Sequence, residues 1–137
     1  MATFLTASIN SSPTLSLKAG ADIEDVRFKA LKFDANGNVV LASTAGEAFL
    51  GIAIPTTGDA EGKVKTGADV DVQIKDIGMA MAGAEVAAGA ALATNAEGKL
   101  VTATAGQFVI GYALAPATAA GDIIEVQIAK GYCPTAG

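Results

Sequence analysis

The stretch "DANGNVVLASTAGEAFLGIAIP", residues 34–55, returns about sixty residues later as "NAEGKLVTATAGQFVIGYALAP", residues 95–116. Each version opens with a turn signal, Asn36-Gly37 in the first and Gly98 in the second. Asn-Gly readily takes the positive φ angles of a type I′ hairpin turn, so we predict that turn at residues 36–37. The similarity of the two stretches predicts two copies of one β-unit.

After each turn and its return strand comes another predicted strand, residues 48–55 or 107–116, with an internal glycine, Gly51 or Gly111. Further along, "ADVDVQIKDIG" alternates polar and apolar residues as a half-buried strand does, and "GDIIEVQIAKG" matches it. We therefore predict an internal repeat over about residues 26–78 and 86–131, with some six extra residues in a surface loop of the first copy. The positions assigned to turns or close backbone packing are Asn36, Gly37, Gly51, Gly98, Gly111 and Gly121.

Half of such a structure cannot bury its own apolar face, and a solenoid would need three or more repeats. The predicted fold class is therefore all-β: a small barrel or sandwich, similar to a β-tulip, built from two duplicated three-stranded units. In "VRFKALKF", residues 26–33, the alternation shifts phase, which predicts a bulge or strand break near Ala30. Residues 79–93 fit either a helix, because they are rich in alanine, or a turn and a strand; Gly83 and Gly89 favour the latter.

Residues 1–20 differ from the rest of the chain because they are rich in serine and threonine and carry isolated apolar side chains. Pro13 interrupts any helix there, and "TLSL", residues 14–17, alternates as a strand does. We predict an extended N-terminal arm over residues 1–20 and a single β-barrel domain over residues 21–137.

The composition excludes several classes of function. A formal net charge of −5 with one arginine argues against nucleic-acid binding, and a single cysteine, Cys133, excludes an internal disulfide. The apolar run at residues 77–93 is too short to span a bilayer, and the N-terminus does not resemble a secretory signal, so a soluble protein without a membrane partner is expected.

No chemistry-bearing motif stands out. The chain has no histidine, which removes the commonest general base and metal ligand, so we expect neither an enzyme nor a metal site. The carboxylates lie in polar strand phases or loops, and "DANGN" lacks the downstream glutamate of a calcium loop. The residue order of a phosphate-binding loop, GxxxxGK[ST], does not occur in the sequence. Domains that carry biotin or lipoate attach it to a lysine in a tight hairpin, and this chain has Ala80 at that position. No cofactor is therefore expected.

The repeated region, roughly residues 19–131, resembles the tailed-phage capsid cement proteins, also called head decoration proteins. The residues that carry the resemblance in the second copy are Gly89, Leu92, Gly98, Val101, Gly111, Ala113, Gly121 and Val126.

The resemblance implies a non-enzymatic protein that binds the outer surface of a phage head between capsomers and resists internal pressure. It implies the major capsid protein as partner, self-association as a trimer or dimer, and a place on the outer capsid surface after synthesis in the host cytoplasm. It also implies an arm that adds a strand to the capsid protein. The arm residues expected to do so are Thr3, Phe4, Leu5, Thr6, Leu15 and Leu17.

A second class of function remains open from the residues alone, a glycan- or ligand-binding β-module on a virion or cell surface. It would need aromatic platforms in a concave site, and the chain offers only Tyr112 and Tyr132 as tyrosines and no tryptophan.

Overall fold

The protein was analysed as a computed structural model, which describes residues 12–55 and 58–135. Within these ranges the fold consists of strands and turns without a helix, so the predicted all-β class is confirmed. The first five strands are β1 (Thr14–Lys18), β2 (Ala30–Phe33), β3 (Val39–Leu41), β4 (Gly51–Ala53) and β5 (Asp69–Gln73). The next five are β6 (Ile77–Met81), β7 (Ala91–Thr94), β8 (Leu100–Thr102), β9 (Phe108–Ala113) and β10 (Ile123–Tyr132).

The strands form two five-stranded antiparallel sheets that follow one plan. The first sheet has the order β1-β5-β4-β2-β3, and the second has the order β6-β10-β9-β7-β8, which is the same order shifted by five. Each sheet thus holds five strands, where the sequence predicted three. One extra strand is β1, which lies within the segment predicted to be an arm. Duplication of the sequence stays a prediction, but the shared order lets each strand of one sheet be matched to a strand of the other.

Each sheet curves until its first strand approaches its last. In the first sheet the amide of Gly20 donates to the carbonyl of Val39 at 2.8 Å, and in the second Gly83 donates to Leu100 at 2.7 Å. Parallel bridges at Ala19–Val39 and Ala82–Leu100 mark the same two places. The apolar side chains enclosed by this curvature form a core inside each sheet.

The first core is small, and the second also includes side chains of the first sheet. In β2 and β4, Leu31 and Ala53 point into the core of their own sheet. Their neighbours Ala30 and Ile52 belong instead to the core of the second sheet. Where they pair, at residues 30–31 and 51–52, these two strands are therefore buried on both faces, and the two sheets share an apolar contact.

The predicted type I′ turn is wrong. Gly37 has φ of 81°, but Asn36 is not among the described residues with positive φ, whereas type I′ requires both. The side chain of Asp34 determines the loop instead, because its Oδ1 accepts from the amides of Asn36 at 2.8 Å and Asn38 at 3.0 Å. An aspartate at this place holds a five-residue loop in which one glycine takes the left-handed conformation.

Two local expectations agree with the structure. Strand β2 begins at Ala30, and the chain just before it is irregular, since Phe28 has φ of 61°. Residues 79–93 contain the end of β6, a turn in which Gly89 has φ of 84°, and the start of β7. They contain no helix, so of the two alternatives the turn and strand is observed.

Candidate binding surfaces

The exposed aspartates of the loops serve as acceptors for backbone amides. Hydrogen bonds from the amide and hydroxyl of Thr66 lower the pKa of Asp22 below its usual value. Those from the amide and hydroxyl of Thr118 do the same for Asp122. A general acid needs a raised pKa in an apolar site, and these groups have the opposite. Their place in the structure indicates a role in holding turns.

The part of the chain that the structure describes offers little to a cofactor. No group of three or more His, Cys, Asp or Glu side chains lies close enough to hold a metal ion within residues 12–55 and 58–135. Every buried polar side-chain atom of these residues has a hydrogen-bond partner. Across the same ranges, no helix has the length and apolar character needed to cross a bilayer.

A groove of about 730 Å³ lies beside the first sheet. Phe33, at the end of β2, contributes its ring to the wall and is 50% exposed. On the rim, Lys32 donates to both carboxylate oxygens of Glu47 at 2.9 and 3.0 Å. Lys130 crosses from the second sheet and donates to the carbonyl of Leu50 at 2.6 Å, and burial lowers the pKa of this lysine. The groove thus has aromatic walls and a charged rim.

Large apolar side chains flank Glu125 and Gln127 on the outer face of the second sheet, and we call this the Tyr112 face. In the register of the sheet, Gln127 pairs with Ile77 on one side and with Tyr112 on the other. Glu125 pairs with Met79 in the next row of the same face. The large exposed apolar side chains of this face are Ile77, Met79, Tyr112, Leu114 and Ile123. Large exposed apolar side chains grouped on one sheet face are a feature of interaction surfaces.

The first sheet carries polar residues at the positions that correspond to Ile77, Met79 and Ile123. Because Gln73 pairs with Thr14 as Gln127 pairs with Ile77, Thr14 and Ser16 of β1 correspond to Ile77 and Met79 of β6. By the same register, Asp69 corresponds to Ile123. The shared strand order therefore does not by itself require apolar residues at these positions. Ile77 and Met79 also line a small cavity together with Ile52 of the first sheet.

The structure places the residues singled out from the sequence in separate locations. Leu15 and Leu17 are half-buried in β1, where they pair with β5, and Leu17 packs against the first core. Gly121 has φ of 95° just before β10. The predicted arm residues Thr3, Phe4, Leu5 and Thr6 lie outside the described residues.

The Tyr112 face was not predicted from the sequence. The signal that could have found it is the presence of apolar residues in the exposed phase of a strand. In "DIIEVQ" the exposed phase includes Ile123, and in "IGMAM" it includes Ile77 and Met79.

Two of the comparisons with known proteins, one with family models and one with solved structures, found a match. Residues 56–128 match the model of a family described as phage cement protein. The N base of the head fiber gp8.5 of bacteriophage phi29 has a similar structure, with a TM-score of 0.59 over 85% of this chain and 92% of that chain. The two sequences are 18% identical, so this likeness concerns the fold. Among curated proteins, none matches this sequence.

Proposed function

This chain belongs to the phage cement protein family, and from that premise we propose that it is a non-enzymatic decoration protein of the outer head surface. In this proposal it binds between capsomers and stabilises the shell against internal pressure. Its partner is the major capsid protein, and copies of the chain associate with one another as trimers or dimers. It is made in the host cytoplasm and ends on the outside of the virion.

The observation that carries the proposal is the division of labour between polar and apolar side chains. Aspartates such as Asp22 and Asp122 hold loops in their ionised form, while the outer face of the second sheet presents several large apolar side chains to solvent. Such a molecule is suited to adhesion. Modest contacts repeated over the many equivalent sites of a shell give strong total binding through avidity.

We propose that the segment before β1 contacts the capsid, with Phe4 and Leu5 as its apolar anchors. An extended segment can add a strand to an exposed sheet edge, where main-chain hydrogen bonds give affinity and alternate side chains give register. Leu15 and Leu17 are already engaged in β1, so we assign the contact to residues that precede this strand.

The test is binding of the purified protein to expanded heads of its own phage, followed by co-sedimentation. Deletion of residues 1–11 leaves β1 intact, so the melting temperature is expected to stay the same while binding is lost. A paired substitution, Phe4→Ser with Leu5→Ser, is expected to weaken binding, and Ala2→Ser with Ala7→Ser serves as the matched control.

Shell stabilisation has its own measurement. Heads packed with DNA and coated with the protein are expected to release DNA at a higher temperature than bare heads. Equal release temperatures would contradict a cement role, and full binding after deletion of residues 1–11 would contradict the arm. A rise in the melting temperature with a member of a glycan panel, without binding to heads, would favour the ligand-binding module instead.

A further inference from the structure

The two sheets contact each other through surfaces that are not equivalent. On the first sheet, Ala30 and Ile52 pair across β2 and β4 and are 0% and 1% exposed, because the second sheet covers them. Ala91 and Tyr112 form the corresponding pair of the second sheet. Tyr112 is 47% exposed, and nothing in the described part of the chain covers it as Ile52 is covered.

The end of the β7–β8 hairpin takes part in this contact, beside residues of β6 and β9. The carbonyl of Gly98 at the hairpin tip accepts from the amide of Ala30 at 2.7 Å. At the end of β7, directly before the hairpin loop, the carbonyl of Thr94 accepts from the amide of Gly46 at 2.9 Å. The ring of Phe108 meets that of Phe49 edge-on at 5.4 Å between centroids. Thr94 is fully buried as a result.

The corresponding hairpin of the first sheet, β2–β3, has no such contact within the described residues. Its tip, Gly37, has open space where a Cβ would stand, and Phe33, which corresponds to Thr94, is 50% exposed. We call this the Phe33 end, residues 33–38. The contact inside the chain is thus head-to-tail, and it leaves one unused surface of each kind, a hairpin end on the first sheet and an outer face on the second.

We propose that two copies of this chain associate head-to-tail, with the Phe33 end of one copy packed on the Tyr112 face of the next. A contact between two different surfaces leaves both available again at the ends of the pair, so it extends to further copies. The inference specifies the self-association proposed above, and it does not depend on binding to a capsid.

The chemistry of the two surfaces is complementary. Phe33 offers an aromatic ring, while Met79 and Tyr112 offer a thioether and a second ring, and both combinations are favourable beyond their buried area. The groove rim beside Phe33 carries Glu47, whose Oε1 accepts from Lys32 and has a further lone pair for the Tyr112 hydroxyl. The internal contact is drier, since Ile52 stands where the second sheet has Tyr112. A tyrosine at this position is compatible both with exposure to water in the free chain and with burial when a second copy binds.

The test is sedimentation of the full chain in the absence of any phage head. The wild-type chain is expected to form species larger than the 13.5 kDa monomer. Phe33→Glu and Tyr112→Glu each damage one surface and are each expected to weaken self-association by roughly thirtyfold, as loss of a hot-spot side chain does. Ala60→Glu adds the same charge at an exposed turn outside both surfaces and is expected to change nothing.

Mixing the two damaged variants identifies the geometry. In a head-to-tail contact the intact Tyr112 face of the Phe33→Glu chain meets the intact Phe33 end of the Tyr112→Glu chain, so an equimolar mixture forms a two-chain species that neither variant forms alone. Far-ultraviolet circular dichroism verifies that each variant is folded. A wild-type chain that stays monomeric at every concentration overturns the proposal, and so does a mixture of folded variants that remains monomeric.

Discussion

Gly51 in β4 packs directly against the backbone carbonyl of Gln73 in β5, and a Cβ at this glycine would overlap that oxygen. The second sheet repeats the arrangement, because a Cβ at Gly111 in β9 would overlap the carbonyl of Gln127 in β10. The two glycines noticed in the repeated sequence thus have the same physical cause. Each lets two neighbouring strands approach more closely than any side chain would allow.

We predict that Gly51→Ala and Gly111→Ala each lower the free energy of unfolding by about 2 kcal/mol, because the added methyl group pushes two paired strands apart. Urea unfolding followed by circular dichroism measures the change. Gly131→Ala is the matched control, since Gly131 has open space around its Cβ position and an ordinary φ. A loss at Gly131 as large as at Gly51 would show that the effect is generic to glycine.

A second prediction concerns the contribution of the loop between β2 and β3 to the free energy of unfolding. Asp34→Ala removes two hydrogen bonds to backbone amides and is expected to lower the free energy of unfolding by about 1 kcal/mol. Asn36→Ala is expected to have almost no effect, because Asn36 does not require a left-handed backbone. A type I′ turn would give a different result, with a penalty of about 1 kcal/mol or more at Asn36. Urea titrations of the two variants distinguish the two loop types.

The all-β class was predictable from the sequence because strand alternation and turn glycines are local properties. Alternation in "ADVDVQIKDIG" predicted β5, and the internal glycines marked β4 and β9. Strand β1 was assigned to an arm because residues 1–20, which include it, are rich in serine and threonine as a solvated segment is. Only its pairing with β5 shows that it belongs to the sheet.

The candidate surfaces were not predictable for a related reason. Ile52 and Tyr112 occupy corresponding positions in corresponding strands, yet one is buried and the other is half exposed. Which of them is covered depends on how the two sheets pack, and no local pattern contains that information. The prediction of a type I′ turn was wrong for a similar reason, because the hydrogen bonds of the Asp34 side chain outweigh the conformational preference of the Asn-Gly pair.

The ion pair on the groove rim predicts a dependence of stability on pH. Burial alone would raise the pKa of Glu47, but hydrogen bonds from Lys32 and from the amides of Ser43 and Thr44 outweigh it and lower the pKa below 4.5. The unfolded chain therefore binds a proton at this residue before the folded chain does. The stabilisation is present above about pH 4.5 and is lost as the pH falls through the lower folded value.

We accordingly predict that Glu47→Gln lowers the free energy of unfolding by about 1 kcal/mol at neutral pH, where Lys32 loses its ionised partner. The difference between variant and wild type is expected to shrink as the pH falls below about 4.5 and the wild-type carboxylate takes up its proton. Urea midpoints measured across this range give the difference. Gln107, which occupies the corresponding place in the second sheet and accepts from the amide of Thr104, shows that glutamine fits there. A difference that stays constant with pH would assign the effect to packing.

The contact between Phe49 and Phe108 joins the two sheets, and it predicts that they unfold together. Phe49→Ala removes a ring from the core of the second sheet although the residue belongs to the first. We expect a loss of about 3 kcal/mol, with one unfolding transition that moves as a whole, because the sheets share one apolar contact. Scanning calorimetry measures both quantities. Two separate transitions in the wild-type chain would show that the sheets are independent, whereas a single transition whose calorimetric and van't Hoff enthalpies agree would show that each sheet depends on the other.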